Sequence, residues 1–71
     1  MRITTWNINS IRLRAPSAIR LLDTIKPDVL CLQETKCPDE FFPYETFHDA
    51  GYPHIVVKGM KGYNGVALIS R

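Results

Sequence analysis

Hydrophobic residues change their spacing several times along this 71-residue chain, and each change predicts an element. Arg2 to Trp6 sets Ile3 among β-branched and aromatic neighbours, which predicts a strand beginning almost at the first residue. Asn7 to Ser10 is turn-prone. From Pro16 the spacing becomes helical: Ala18, Leu21, Leu22 and Ile25 lie at i, i+3, i+4 and i+7, with Arg20, Asp23 and Lys26 turned outward. Pro16 suits a first helical turn, and Pro27 ends the helix by removing an amide and restricting Lys26. Asp28 to Gln33 is then a short, nearly unbroken apolar run, the pattern of a strand buried on both faces.

Strand, helix, strand in this order predicts a βαβ-like crossover whose two strands are neighbours and parallel. Asn7 then falls at the carboxyl end of the first strand and Glu34 at that of the second. In a parallel pair both emerge at one sheet edge, where open α/β sheets usually hold their ligands.

The next stretch, Thr35 to Tyr52, reads as loop and short helix. Pro38 and Pro43 fit helix starts and Gly51 a helix end. Phe41, Phe42, Tyr44 and Phe47 are read as packing rather than as a base-stacking platform, and so is Trp6. His54 to Lys58 is a predicted strand. Gly59 to Gly65 is a loop closing on Asn64-Gly65, a dipeptide suited to positive φ in a tight turn. Val66 to Ser70 is another apolar strand, reaching Arg71 with no polar tail after it. The fold class is therefore α/β.

Composition adds constraints but no function. Apolar residues are 45% and charged residues 23%, the balance of an ordinary globular protein. No apolar run reaches the length of a membrane-spanning helix, and the N-terminus lacks a signal peptide's apolar stretch, so the default expectation is a cytoplasmic protein. Cys31 and Cys37 do not match zinc-site spacings, and two cysteines do not make a disulfide scaffold; Cys31 reads as a small buried side chain. The net charge of +2 conceals an arrangement. All seven acids lie between Asp23 and Asp49, with Arg2, Arg12, Arg14 and Arg20 before them and Lys58, Lys61 and Arg71 after. Basic ends around an acidic middle could face phosphate; ordinary solvated charge explains them as well.

The sharpest chemical feature is Glu34 with Asn7. A hard divalent cation takes oxygen ligands and often only one or two protein carboxylates, leaving positions for water and phosphate. Glu34 could supply one, and the Asn7 amide could orient a ligand or bind a phosphate oxygen. Taken alone, a Glu after a strand is more often solvated or a cap on the next helix.

Three segments in order give that pair a context. Trp6-Asn7-Ile8-Asn9-Ser10-Ile11-Arg12, Leu32-Gln33-Glu34-Thr35-Lys36 and Gly62-Tyr63-Asn64-Gly65-Val66-Ala67 closely resemble the first three motifs of the exonuclease III and abasic-site (AP) endonuclease family. That family lies within the endonuclease/exonuclease/phosphatase superfamily. The Thr-Lys after Gln-Glu and the Arg ending the first motif resemble its DNA-repair branch. The resemblance implies the first part of a two-layer α/β sandwich of the DNase I-like type, with mixed sheets and outer helices.

It also implies roles. Glu34 looks like the metal-ligating glutamate and Asn7 like the active-site asparagine near metal and scissile phosphate. Asn9 stands where some members have an aspartate, so an indirect part in metal binding is expected. Arg12 and Lys36 match basic positions near the DNA backbone, and Asn64-Gly65 could bring backbone close to DNA. The implied cofactor is Mg²⁺, with Mn²⁺ plausible. The implied reaction is phosphodiester hydrolysis in duplex DNA, 5′ of abasic sites or by 3′→5′ trimming.

The same resemblance implies groups that are not identifiable here, above all an Asp–His pair for the attacking water. His48 and His54 do not match it and read as structural or surface residues. Residues 1–71 are thus expected to be an N-terminal portion of one such domain, inactive alone. The remainder of the domain, or a second copy, would be needed to cover exposed sheet edges. Two other readings stay open. One is a non-catalytic, DNA-binding scaffold needing a complementing chain. The other is a superfamily phosphodiesterase or phosphatase acting on a lipid, an inositol phosphate or RNA.

Overall fold

The computed structural model describes residues 1–59 and 64–71; Gly62 and Tyr63 of the third motif lie outside them. The elements run β1 (Ile3–Asn7), α1 (Ile11–Ile25), β2 (Val29–Gln33), a 3₁₀ turn (Asp39–Phe41), α2 (Tyr44–Asp49), β3 (His54–Lys58) and β4 (Val66–Ser70). The strands form one mixed sheet in the order β1-β2-β4-β3. β1 and β2 are parallel, as the crossover requires, with Asn7 opposite Gln33. β4 is antiparallel to both of its neighbours, with Val66 opposite Gln33 and Lys58.

Register sorts the side chains onto two faces. Leu30, Leu32, Ala67 and Ile69 are buried under the helices, joined by Trp6, Ile55 and Val57 at the margins. Ala18 and Leu22 of α1, Phe47 of α2 and the loop residues Ile8, Phe42 and Tyr52 close this core. Phe42 packs on Tyr44 and stacks on Phe47 with ring centroids 5.8 Å apart, so these aromatics serve packing. Phe41 does not join them and stays 59% exposed.

Three expectations change. β2 is buried on one face only: Leu30 and Leu32 are covered, but Val29, Cys31 and Gln33 are half-exposed, because both helices pack on the same side of the sheet. Cys31 is therefore not a core thiol. Cys37 is; burial pushes its thiol up, and its Sγ donates to the Pro38 carbonyl. The open face carries Ile3, Val56, Val66 and Leu68, each at least half exposed. Finally, α1 begins at Ile11, five residues before Pro16. Arg14 breaks the helix with φ −112° and ψ 15°, since Pro16 lacks the N–H to continue it. Residues 11–13 form a separate first turn, and the straight helix starts beside Pro16 as its sequence suggests. α1 ends at Lys26 in the left-handed region, before Pro27.

Candidate functional site

The carboxyl ends of β1 and β2 and the start of β4 meet at one edge, and backbone hydrogen bonds continue past the strands there. Ser10 N–H donates to the Glu34 carbonyl at 2.9 Å and Ile11 N–H to that of Thr35 at 2.9 Å. On the other side Thr35 N–H donates to the Gly65 carbonyl and Lys36 N–H to that of Asn64, at 3.2 and 2.8 Å. Residues 34–36 are thus clamped between two loops, which fixes where their side chains leave the backbone.

This edge also gathers unusual backbone. Asn9, Ser10, Glu34, Lys36 and Asn64 all have φ between 50° and 92°, and Gly65 has φ 95°. Among the described residues positive φ occurs elsewhere only at Lys26 and Gly51, after the two α-helices. Left-handed non-glycine residues are uncommon, and clusters of them persist where surrounding bonds over-determine the chain. Gly65 is required twice: by its φ, and because a Cβ would lie 2.3 Å from the Oγ1 of buried Thr35.

Two asparagines and two charges complete the site. Asn7 Nδ2 donates to Glu34 Oε2 at 2.5 Å, joining the ends of the parallel strands. A carboxylate only accepts, so the nitrogen must face it, leaving Asn7 Oδ1 as an available oxygen. Lys36 Nζ donates to Asn9 Oδ1 at 2.6 Å and lies 3.9 Å from Glu34 Oε1. An ammonium only donates, so Asn9 is held the opposite way, with its NH₂ turned from Lys36. Arg14 donates to the Asn9 carbonyl at 2.7 Å. Arg12 is exposed and makes no hydrogen bond or ion pair among the described residues.

The donors fit a hard cation in kind: one carboxylate and one amide oxygen, both solvent-accessible. They do not complete a site. Among the described residues no group of three or more His, Cys, Asp or Glu side chains could hold a metal. His54 begins β3 opposite Ser70, at the far end of the sheet, and His48 lies on α2; both are exposed. Sequence reasoning brought Asn7 and Glu34 to one edge, where they do meet, and the structure places Asn9 and Lys36 beside them. That reasoning missed the anchoring role of Arg14 and the fit of Thr35 against Gly65. No periodicity marks either contact.

Comparison with known proteins gives this edge a setting. Residues 4–71 match the model of the Endonuclease/Exonuclease/phosphatase family. The chain is 41% identical over its full length to exodeoxyribonuclease III of Haemophilus influenzae, covering 26% of that protein. It is 39% identical to the DNA repair nuclease APEX1 of Danio rerio, covering all of this chain and 24% of the relative. Among solved structures, the 3′ phosphatase NExo from Neisseria bound to a product DNA hairpin superposes with a TM-score of 0.95 at 46% identity, over all of this chain and 27% of that one. An AP endonuclease from Archaeoglobus fulgidus gives 0.91 at 49% identity, over 99% and 27%. The chain thus spans about a quarter of the length of these relatives. Among the described residues no helix is long and apolar enough to cross a membrane.

Proposed function

This chain belongs to the endonuclease/exonuclease/phosphatase family, and from that membership we propose that it supplies part of the active site of a Mg²⁺-dependent DNA-repair nuclease. In this reading residues 1–71 are the N-terminal portion of one catalytic domain. The relatives matched above are exodeoxyribonuclease III and DNA-repair enzymes, which favours duplex DNA as substrate. The observation that carries the reading is the Asn7–Glu34 contact across the ends of two parallel strands, beside the positive charge of Lys36.

The residues divide the work by chemistry. Glu34 holds the divalent cation with one carboxylate, and Asn7 fixes that carboxylate while offering its own Oδ1. The cation, when bound, offsets charge on the phosphate and on the leaving 3′ oxygen. Arg12 and the Asn64-Gly65 turn belong to the edge that faces the DNA backbone, where a cation binds phosphate without reading sequence. In the net reaction water adds to phosphorus and the P–O3′ bond breaks, leaving a 3′ hydroxyl and a 5′ phosphate. The group that positions this water comes from outside these residues.

A chimera tests the proposal. This chain would replace the matching quarter of the Haemophilus enzyme, and the product would be assayed on a duplex with one abasic site. Mg²⁺-dependent, EDTA-sensitive incision on the 5′ side is expected, and Glu34→Gln should abolish it. The 71-residue chain by itself should not cut. A folded chimera that leaves the duplex intact, or a Glu34→Gln chimera that cuts normally, would overturn the assignment.

A further inference from the structure

Lys36 reads from sequence as a cation for the DNA backbone, yet its ammonium is turned inward. It donates to Asn9 Oδ1 at 2.6 Å and lies 3.9 Å from Glu34 Oε1, and only a third of its side chain is exposed. Its own backbone is held at φ 50° by the Lys36 N–H bond to the Asn64 carbonyl. The residue therefore ties together all three segments that build the edge. It also places a unit positive charge beside the carboxylate assigned to the metal.

We propose that Lys36 is a positioning residue: it pins Asn9 so that the amide NH₂ faces outward as an anion donor, and it sets the charge against which Glu34 binds its cation. This rests on the reading of Glu34 as a metal ligand. The two asparagines then have opposite duties imposed by their partners. Asn7, donating to Glu34, offers oxygen to a cation; Asn9, accepting from Lys36, offers N–H to a phosphate oxygen. The ammonium has a cost. It repels the incoming divalent ion, so the site binds metal more weakly than Glu34 and Asn7 alone would. That favours a cation that arrives with, or is retained by, an anionic substrate.

The test is a Mg²⁺ titration by NMR of the isotope-labelled chimera described above, following the backbone amide of Glu34 and the side-chain amides of Asn7 and Asn9. Lys36→Gln removes the charge but keeps an N–H donor; Lys36→Arg keeps both. Lys36→Gln should bind Mg²⁺ roughly three- to ten-fold more tightly, the scale expected for removing a unit charge near a divalent ion in a water-rich site. Lys36→Arg should stay close to the parent. Lys36→Met, which offers no donor, should shift and broaden the Asn9 side-chain resonances. Equal Mg²⁺ affinity in the parent and Lys36→Gln, or Asn9 signals unmoved in Lys36→Met, would overturn the inference while leaving the metal assignment standing. No Mg²⁺ response at Glu34 or Asn7 in the parent chimera would overturn both.

Discussion

The two ends of the sheet each hold a carboxylate just beyond β2, and they treat it in opposite ways. Asp28 precedes the strand. It accepts the Arg2 backbone N–H at 2.7 Å and pairs with the Arg71 guanidinium at 3.1 Å, so it laces the starts of β1 and β2 to the end of β4. Arg2 and Arg71 also cap the Ile25 and Lys26 carbonyls at the end of α1, and Arg71 lies over the Tyr52 ring. Glu34 follows the strand and sits at φ 53°; among the described residues its carboxylate accepts no backbone N–H and no arginine, and meets only an asparagine amide and an ammonium at the limit of ion pairing. The Asp28 end has its partners, whereas the Glu34 end has capacity left over. A carboxylate bound by strong donors is held for stability, whereas one kept in strained backbone with weak partners is available for a ligand.

A groove of about 440 Å³ opens at the Asp28 end, between Leu22, Lys26, Tyr52 and Arg71. In the proposed reading, the Glu34 edge is completed by further groups of the catalytic domain. The groove carries no group that the proposed reaction uses.

Substitutions can sharpen or break this contrast. The largest effect is expected at Glu34: Glu34→Gln in the chimera should reduce incision at least ~100-fold with little change in thermal midpoint, since loss of a single metal-site support already costs 10- to 100-fold. Removing the partner, in Asn7→Ala, should cost about 10- to 100-fold in kcat/KM, again with the fold intact. Incision rates and circular-dichroism melts on the same preparations would show whether activity and stability separate in this way.

Gly65→Ala joins the two quantities, because the new Cβ would strike Thr35 Oγ1 at a position with φ 95°. A stability loss of about 1–3 kcal/mol by urea denaturation is expected, with reduced activity as residues 34–36 shift. A neutral result would mean that the Thr35–Gly65 approach is loose.

Asp28→Asn should do the least and do it oppositely: a small fall in thermal midpoint with incision unchanged. Its pH dependence is fixed in sign. The Arg2 backbone N–H, helped by Arg71 and the N-terminal ammonium against partial burial, holds the folded Asp28 carboxyl below its ordinary value of 3.8. The folded state therefore keeps Asp28 ionised to lower pH than the unfolded chain does. Its contribution is complete above the unfolded value and disappears as pH falls through the folded one. Melts of parent and Asp28→Asn should differ at pH 7 and begin to converge only as pH falls below about 4. A gap that widened in acid would reverse the role given to Asp28.

Much of this architecture was legible in the order of residues. The runs around Ile3, Leu30, Val56 and Ile69 are strands because β-branched and apolar residues fit a pleated, half-buried surface. Pro27 stops α1 and Pro43 precedes α2 because a missing amide acts locally. The parallel pairing of β1 with β2 followed from the crossover between them, and with it the meeting of Asn7 and Glu34. Other features were hidden for an equally physical reason. The apolar run of β2 looks the same whether one face or two will be covered, so Cys31 could be sorted only once both helices were seen on one side. The early turn of α1 depends on Ser10 and Ile11 bonding to the Glu34 and Thr35 carbonyls, contacts more than twenty residues away in sequence.

The sequence by itself determined that a carboxylate and an amide would share one edge of the sheet, and the motifs around Asn7 and Glu34 determined the family. Only the tertiary structure decided which way each amide faces and where Lys36 points. A side chain's orientation depends on whether its partner donates or accepts. Those partners are supplied by other segments of the chain: Glu34 turns the nitrogen of Asn7 inward, and Lys36 does the same to the oxygen of Asn9.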